Sequence, residues 1–294
     1  MYNRFTNKHY TVMFLLPSLI LFSLFFIIPN ILSLFMGFTD WTIFNFKDPR
    51  FNGWTNFMQM FRSSIFKTAF YNTFYFAIIT VIAKNILGLL FAVILNGKLK
   101  LTNLHRSIIF VPALLSPLVV SVIFNAIYHP ADGILNAFLN KVGLSFMARE
   151  WLNDPATAMN AVIAMDIWSF VGTHMVIYLA ALQAVPRDYY EAAMVDGASP
   201  FQRLVKITIP LIFHAITVNT LLAIIGGLKV FGQVYGLTNG GPFDSTQVLG
   251  TFLFKSFGEG MLGYSSAVGL FFTLLICTIS FVVLAVMRRM EVEY

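Results

Sequence analysis

Residues 190–210 read YEAAMVDGASPFQRLVKITIP. The stretch carries more charge than almost any other window of its length, and it stands between two long apolar runs. Pro186, just upstream, suits the first position of a helix, where a missing N–H costs nothing. Asp188 and Glu191 fall in the first turns and complement the helix dipole. Tyr190, Ala193 and Met194 line one face by i, i+3, i+4 spacing. Gly197 supplies a left-handed stop. Ser199 is an N-cap and Pro200 a first helical position. Arg203 and Lys206 follow, and Pro210 marks entry to the next apolar run. The segment therefore reads as a preformed pair of short helices lying across the ends of two apolar segments. Its small residues, Ala192, Ala193, Gly197 and Ala198, leave room for another backbone. Two roles fit: a connector resting on lipid headgroups, and a docking knob for a partner.

The flanking runs set the class. Hydrophobic residues make up 58% of the 294 and charged residues 11%, with a mean hydropathy of +0.77. A soluble domain is about a quarter charged. A bilayer core of roughly 30 Å takes about 20 apolar helical residues. Six stretches qualify: Thr11–Phe38, Ala69–Leu95, Ser107–Tyr128, Ala156–Leu182, Ile207–Phe231 and Ser265–Met287. Pro17 and Pro29 are expected to kink or end the first. The net charge of +6 comes from residues flanking apolar runs and forms no stripe, which argues against nucleic acid. Cys277, the single cysteine, lies in an apolar run and reads as a small buried hydrophobe.

Lysine and arginine orient the spans. One side carries Arg4, Lys8, Lys98, Lys100, Arg106, Arg187, Arg203, Lys206, Arg288 and Arg289 against five acids, Asp188, Glu191, Asp196, Glu291 and Glu293. The other carries Lys47, Arg50, Arg62, Lys67, Lys141, Arg149 and Lys255, balanced by seven acids. The first side is expected to be cytoplasmic, with both termini and the 190–210 stretch on it. Outer loops are rich in turns and aromatics, and Trp41, Trp54 and Trp151 suit an interfacial belt. The chain reads as one membrane domain, 1–294. Its core is about 68–287, its cytoplasmic loop 186–210, and its first span with outer loop 1–67.

The string EAAMVDGASPFQRLVKITIPLI (191–212) closely resembles the EAA loop of bacterial ABC-importer permeases: Glu-Ala-Ala, three residues, Gly, then Ile-x-Leu-Pro. Glu191, Ala192, Ala193, Asp196, Gly197, Ala198, Ile207 and Pro210 match, and Ile209 stands where Leu is usual. FLLPSLILFSLFFIIPNILSLFMGFTDW (14–41), FVPALLSPLVVSVIFNAIYHPADGILN (110–136) and TNGGPFDST (238–246) resemble the sugar-permease branch, the relatives of the maltose transporter. The TNGGP turn resembles the larger of the two maltose-permease subunits, and the large extra outer domain of some members is absent. The resemblance implies an all-α, six-span fold of the type I importer kind, in the bacterial cell membrane. It implies a second homologous permease, a dimer of cytoplasmic ATP-binding subunits that receives the loop, and an extracytoplasmic solute-binding protein.

Charged groups inside a bilayer cost at least about 2.5–3.5 kcal/mol each and need partners or a wet cavity. Asp166 lies about 25 Å up the fourth span from its cytoplasmic end, by the helical rise. Lys84 lies near mid-depth of the second span. A structural ion pair, including one with each other, and a solute site are both open. The resemblance places sugar contacts on the fourth and fifth spans. Counting from the EAA loop, this selects Asp166, Phe170 and Thr173 on one face and Ala223, Gly227 and Val230 on another. Asn219, Lys229, Gln233 and Tyr235 are nearby polar candidates. Gly226 and Gly227 would leave room for a ligand or for close helix packing.

There is no GxxxxGK[ST], HExxH or GxSxG string, so the chain is not expected to be an enzyme or to bind ATP and Mg, which belong to the partner ATPase. His9, His105, His129, His174 and His214 lack metal-ligand spacing, and no metal is expected. His174 and His214 read as packing or helix–helix hydrogen bonds. The expected function is ATP-driven import of a sugar or oligosaccharide. Lys84 and Lys229 keep glycerol phosphate or an acidic oligosaccharide open. An ion-coupled secondary transporter would need matched inverted repeats, which the sequence does not display.

Overall fold

The computed structural model describes residues 4–97 and 100–291, with side chains from residue 13 onward. Lys98 and Glu293, and the side chains of Arg4 and Lys8, which enter the charge bias, lie outside the described residues. The elements run α1 (Arg4–Phe22), a π turn (Ser23–Ile27), α2 (Ile28–Met36), α3 (Thr55–Arg62), α4 (Ser64–Leu95) and α5 (Thr102–Phe110). Next come a 3-10 turn (Val111–Leu114), α6 (Pro117–Ile127), α7 (Ile134–Lys141), α8 (Pro155–Ala184) and α9 (Arg187–Val195). The chain continues through α10 (Pro200–Arg203), a second π turn (Leu204–Thr208), α11 (Ile209–Leu211), α12 (Phe213–Leu228), α13 (Gly232–Leu237), α14 (Leu249–Gly258) and α15 (Leu262–Arg288). Among the described residues no strand forms, and the one isolated bridge pairs Thr39 with Phe51.

Four stretches are each long and apolar enough to cross a bilayer: Met13–Met36, Ser64–Leu95, Pro155–Ala184 and Leu262–Arg288. Two bent pairs raise the number to six if each counts as one span. The third span expected as one helix over Ser107–Tyr128 is such a pair, bent by 103°. Leu115 and Ser116 are extended there, and Pro117 excludes the helical region for the residue before it. The Ser116 hydroxyl then caps α6 by accepting from Val119 N at 3.4 Å. The fifth expected span, Ile207–Phe231, is the other bent pair, Pro200–Leu211 with Phe213–Leu228, bent by 73° at Ile212.

Pro29 does not end the first span. A π turn closes two residues before it, at Ile27, and a second π turn closes two residues before Pro210, at Thr208. A proline clashes with the carbonyl four residues back and has no N–H to bond it. Widening the preceding turn removes the clash and lets the helix continue.

The chain divides into two compact units, Met1–Ser63 with Leu253–Leu274, and Ser64–Phe252 with Leu275–Tyr294. In the first unit, α2 buries no side chain, and order comes from the loop that follows. Asn56 donates to Gly37 O and Thr39 O at 2.9 and 2.8 Å, and Asp40 Oδ1 accepts from Arg50 N at 2.7 Å. Phe38 packs on Trp54 and Phe57, with ring centroids 5.2 Å apart in each pair.

The second unit is built on α4 against α8. A Cβ on Gly88 would stand 2.9 Å from His174 Cβ, and one on Gly172 would meet Ile109 O. These glycines let the backbones approach, the small-residue packing typical of membrane helices. Phe76, Val162, Met165, Val230 and Val234 form one buried cluster, and Leu95, Met175, Tyr178 and Leu182 another. Cys277 corrects the sequence reading: it is exposed, on the outer face of α15, because Ile276 takes the inward position.

Gly88→Leu should drive a side chain into His174 and lower the melting midpoint by about 5 °C. Gly226→Ala, with nothing within 4 Å of a new Cβ, should leave it unchanged. Thermal-shift chromatography in detergent measures both.

Candidate functional site

Two features of the second unit carry chemistry: the 186–210 hairpin at one end of α8, and a ladder of buried polar groups along it. In the hairpin, Pro186 is the N-cap of α9, one position earlier than expected. Helix α9 ends in paired bonds, Ala198 N to Ala193 O at 2.9 Å and Gly197 N to Met194 O at 3.1 Å. Gly197 sits at φ +74°, the left-handed residue this ending uses. Ser199 and Gln202 then form a reciprocal capping box, at 3.2 and 2.8 Å, that starts α10. Tyr190 OH lies 3.1 Å from Thr208 Oγ1 and ties the arms together. Ala193 is buried beneath, while Glu191, Ala192, Asp196 and Gly197 are exposed and Ala198 half-buried. Met194, read as sharing a face with Tyr190 and Ala193, is exposed with Val195 and Phe201, so the hairpin presents apolar side chains outward.

The ladder follows α8 in steps of four: Asp166, Phe170, His174 and Tyr178, one face of the helix. Asp166 and Lys84 are both buried, and Lys84 Nζ lies 2.5 Å from Asp166 Oδ2. Gln233 Nε2 donates to Asp166 Oδ1 at 3.0 Å. The Lys84 ammonium also lies 5.3 Å from the centre of the Phe170 ring. One step along, Asn219 Oδ1 meets His174 Nδ1 at 3.0 Å and Asn219 Nδ2 donates to His174 O at 3.1 Å. Tyr178 OH donates to Asn85 Oδ1 at 2.5 Å, an atom Thr220 also reaches at 3.4 Å. Each rung joins α8 to another helix: α4, α12 or α13.

The structure thus brings Asp166, Phe170 and Gln233 together around Lys84, and places Asn219 deeper, on His174. Thr173 is half-buried on α8. Ala223, Gly227 and Val230 are buried, and a Cβ on Gly227 would come 3.0 Å from Ala77 Cα, so this face packs against α4. Gly226, not Gly227, faces open space. Lys229 and Tyr235 are exposed. Asn85 and Tyr178 were not singled out in the sequence; four-residue spacing from Asp166 was the signal that pointed to Tyr178.

Beyond α13 lies a cavity of about 500 Å³, lined by Asn125, Tyr128, His129, Asn153, Thr238 and Pro242 among others. Helix α13 joins the two places. Gln233 in its first turn reaches Asp166, and Leu237 and Thr238 at its end line the cavity.

Removing one partner of a buried ion pair leaves an uncompensated charge and costs about 3–5 kcal/mol, whereas replacing both is often near neutral. Lys84→Met should therefore sharply reduce folded protein, and Lys84→Met with Asp166→Asn should restore most of it. Size-exclusion recovery after heating tests this; a single variant as stable as the parent would contradict it.

Comparison with known proteins identifies the family. The family described as "Binding-protein-dependent transport system inner membrane component" matches residues 84–292. A probable ABC transporter permease protein of Bacillus subtilis, YurN, is 36% identical, covering 89% of this chain and 90% of its own. The trehalose/maltose transport system permease protein MalF of Thermococcus litoralis is 31% identical, covering 93% and 92%. A crystal structure of a bacterial alginate ABC transporter, in complex with an alginate pentasaccharide-bound periplasmic protein, has a chain of the same fold. It superposes with a TM-score of 0.85 at 23% identity, over 97% of this chain and 96% of that one. The match from Lys84 almost to the last residue takes in the whole ladder and the hairpin, and with it this chain belongs to the inner-membrane permeases of binding-protein-dependent ABC importers.

Proposed function

We propose that the chain is one half of the pore of an ATP-driven importer for a neutral sugar or oligosaccharide. The observation that carries the solute class is the Asp166 cluster. Asp166 neutralises Lys84, so the pair offers no net positive charge to an anionic solute, while the carboxylate oxygens keep further lone pairs. The carboxylate, the Gln233 amide and the half-buried Phe170 ring are what a sugar requires: acceptors and donors for hydroxyls, and an aromatic face for ring CH groups. Relatives named for trehalose and maltose support the same class. The amide-lined cavity beyond α13 suits entry of such a solute from an extracytoplasmic binding protein.

The hairpin is the coupling loop. It faces the cytoplasm with both termini, and its exposed Met194, Val195 and Phe201 dock into a dimer of ATP-binding subunits. A second homologous permease completes the pore in the bacterial cell membrane. ATP and Mg are used by the ATPase, and this chain contributes no catalytic group. The solute path alternates its access as the ATPase closes and the hairpin moves α8.

Uptake by the complete transporter in proteoliposomes tests the reading. Unlabelled neutral oligosaccharides should compete for entry and uronate oligosaccharides should not. Gly197→Val puts a β-branched side chain at positive φ, a cost of about 1–2 kcal/mol, and should reduce ATP-driven uptake about tenfold at unchanged protein level. The Lys84→Met, Asp166→Asn double variant should fold but need at least about tenfold more solute for half-maximal uptake. Unchanged half-saturation in that variant would make the pair structural only.

A further inference from the structure

A cavity of about 550 Å³ opens behind the hairpin, where α4, α8 and the arms of the hairpin converge. Its walls include Val93, Asn96, Leu182, Tyr190, Arg203 and Thr208. Arg203 is the unusual member. Its Nε is buried with no acceptor, and among the described residues the guanidinium has no ion-pair partner. A buried donor without an acceptor is costly, and more so for a charged group. Thr208 Oγ1 lies 3.1 Å from the Tyr190 hydroxyl and donates to the Arg203 backbone carbonyl at 3.3 Å, so its contact with Arg203 is to the backbone and not to the guanidinium. The acidic residues of the hairpin, Asp188, Glu191 and Asp196, do not line the cavity. Arg106, which donates to Leu95 O at 2.8 Å, adds a second cation beside the end of α4.

On α4 an apolar stripe leads to this cavity. Ile82, Ile86, Leu90 and Val93 are spaced by four, four and three residues, so they share one helix face, and all four are exposed. An arginine beneath a polar rim, continuous with a strip of aliphatic side chains, is the arrangement that holds a phosphate with acyl chains attached.

We propose that this cavity binds the phosphate of an anionic phospholipid, with Arg203 and Asn96 donating to its oxygens and the acyl chains lying along Ile86, Leu90 and Val93. The bound lipid braces the inner side of the hairpin while its outer side meets the ATPase. The proposal rests on the reading of the hairpin as a cytoplasmic coupling loop.

The test is native mass spectrometry of the complete transporter released from nanodiscs of phosphatidylglycerol or phosphatidylcholine. Phosphatidylglycerol should stay bound and phosphatidylcholine should not. Arg203→Gln, which keeps helix propensity, should lose about tenfold in phosphatidylglycerol retention, the weight of one charge-assisted contact. Asn96→Leu should weaken retention with Arg203 intact. Lys206→Gln, on the same arm but outside the cavity walls, should retain the lipid as the parent does. Displacement by millimolar inorganic phosphate, dependent on Arg203, would uphold the phosphate site with a soluble source. Equal retention by Arg203→Gln and the parent, or binding only after the ATPase is stripped away, would overturn the proposal. The latter would make Arg203 an anchor for the partner. Failure of the permease reading is separable, because then no ATPase would accompany the chain in either lipid.

Discussion

The contact between Lys84 and Asp166 is the constraint on which the second unit depends. Each charge alone would be costly inside a bilayer, and each lies on one of the two longest helices of that unit. The pair can form only if α4 and α8 run close together. Gly88 makes that approach possible by leaving its Cβ position to His174, and Gly227 does the same for α12 against Ala77. Polar bonds and backbone approach are thus two sides of one packing arrangement. Gln233 extends it to α13, whose six residues join the ion pair to the cavity at its far end.

Much of this was legible in the sequence, for physical reasons that differ from element to element. The hairpin was largely readable because its signals are local: a glycine at positive φ, a serine N-cap and flanking prolines act within a few residues, while the Gln202 half of the capping box emerged only in the structure. The number of apolar runs was readable from length alone, but the bends were not. Ser116–Pro117 carries a local signal for the break, a residue before proline and a serine cap, but not the size of the bend. Pro29, by contrast, breaks nothing, because a π turn absorbs it. The Asp166–Lys84 partnership was open because residues 84 and 166 are brought together by packing that no local pattern encodes. The same is true of Tyr178 with Asn85, and of Gly227, whose packing role depends on where Ala77 lies.

The arrangement also relates the two ends of α8. Its 30 residues carry the polar ladder through the bundle, and its last turn leads through Val185 and Pro186 directly into the hairpin. A helix of that length is about 45 Å long. The start of the hairpin and Asp166 are therefore joined by one continuous helix. The same logic explains why so many polar groups on α8 are paired. Tyr178, His174 and Asp166 between them hold α4, α12 and α13 against α8.

Affinity purification of this chain from its native membrane in mild detergent, with the mass and composition of the recovered particle measured, tests the central claim most directly. The account predicts one copy of this chain, one of a second, related permease and two of an ATPase, with solute carried only when the ATPase is present. Recovery of this chain by itself, still able to carry solute, would contradict it.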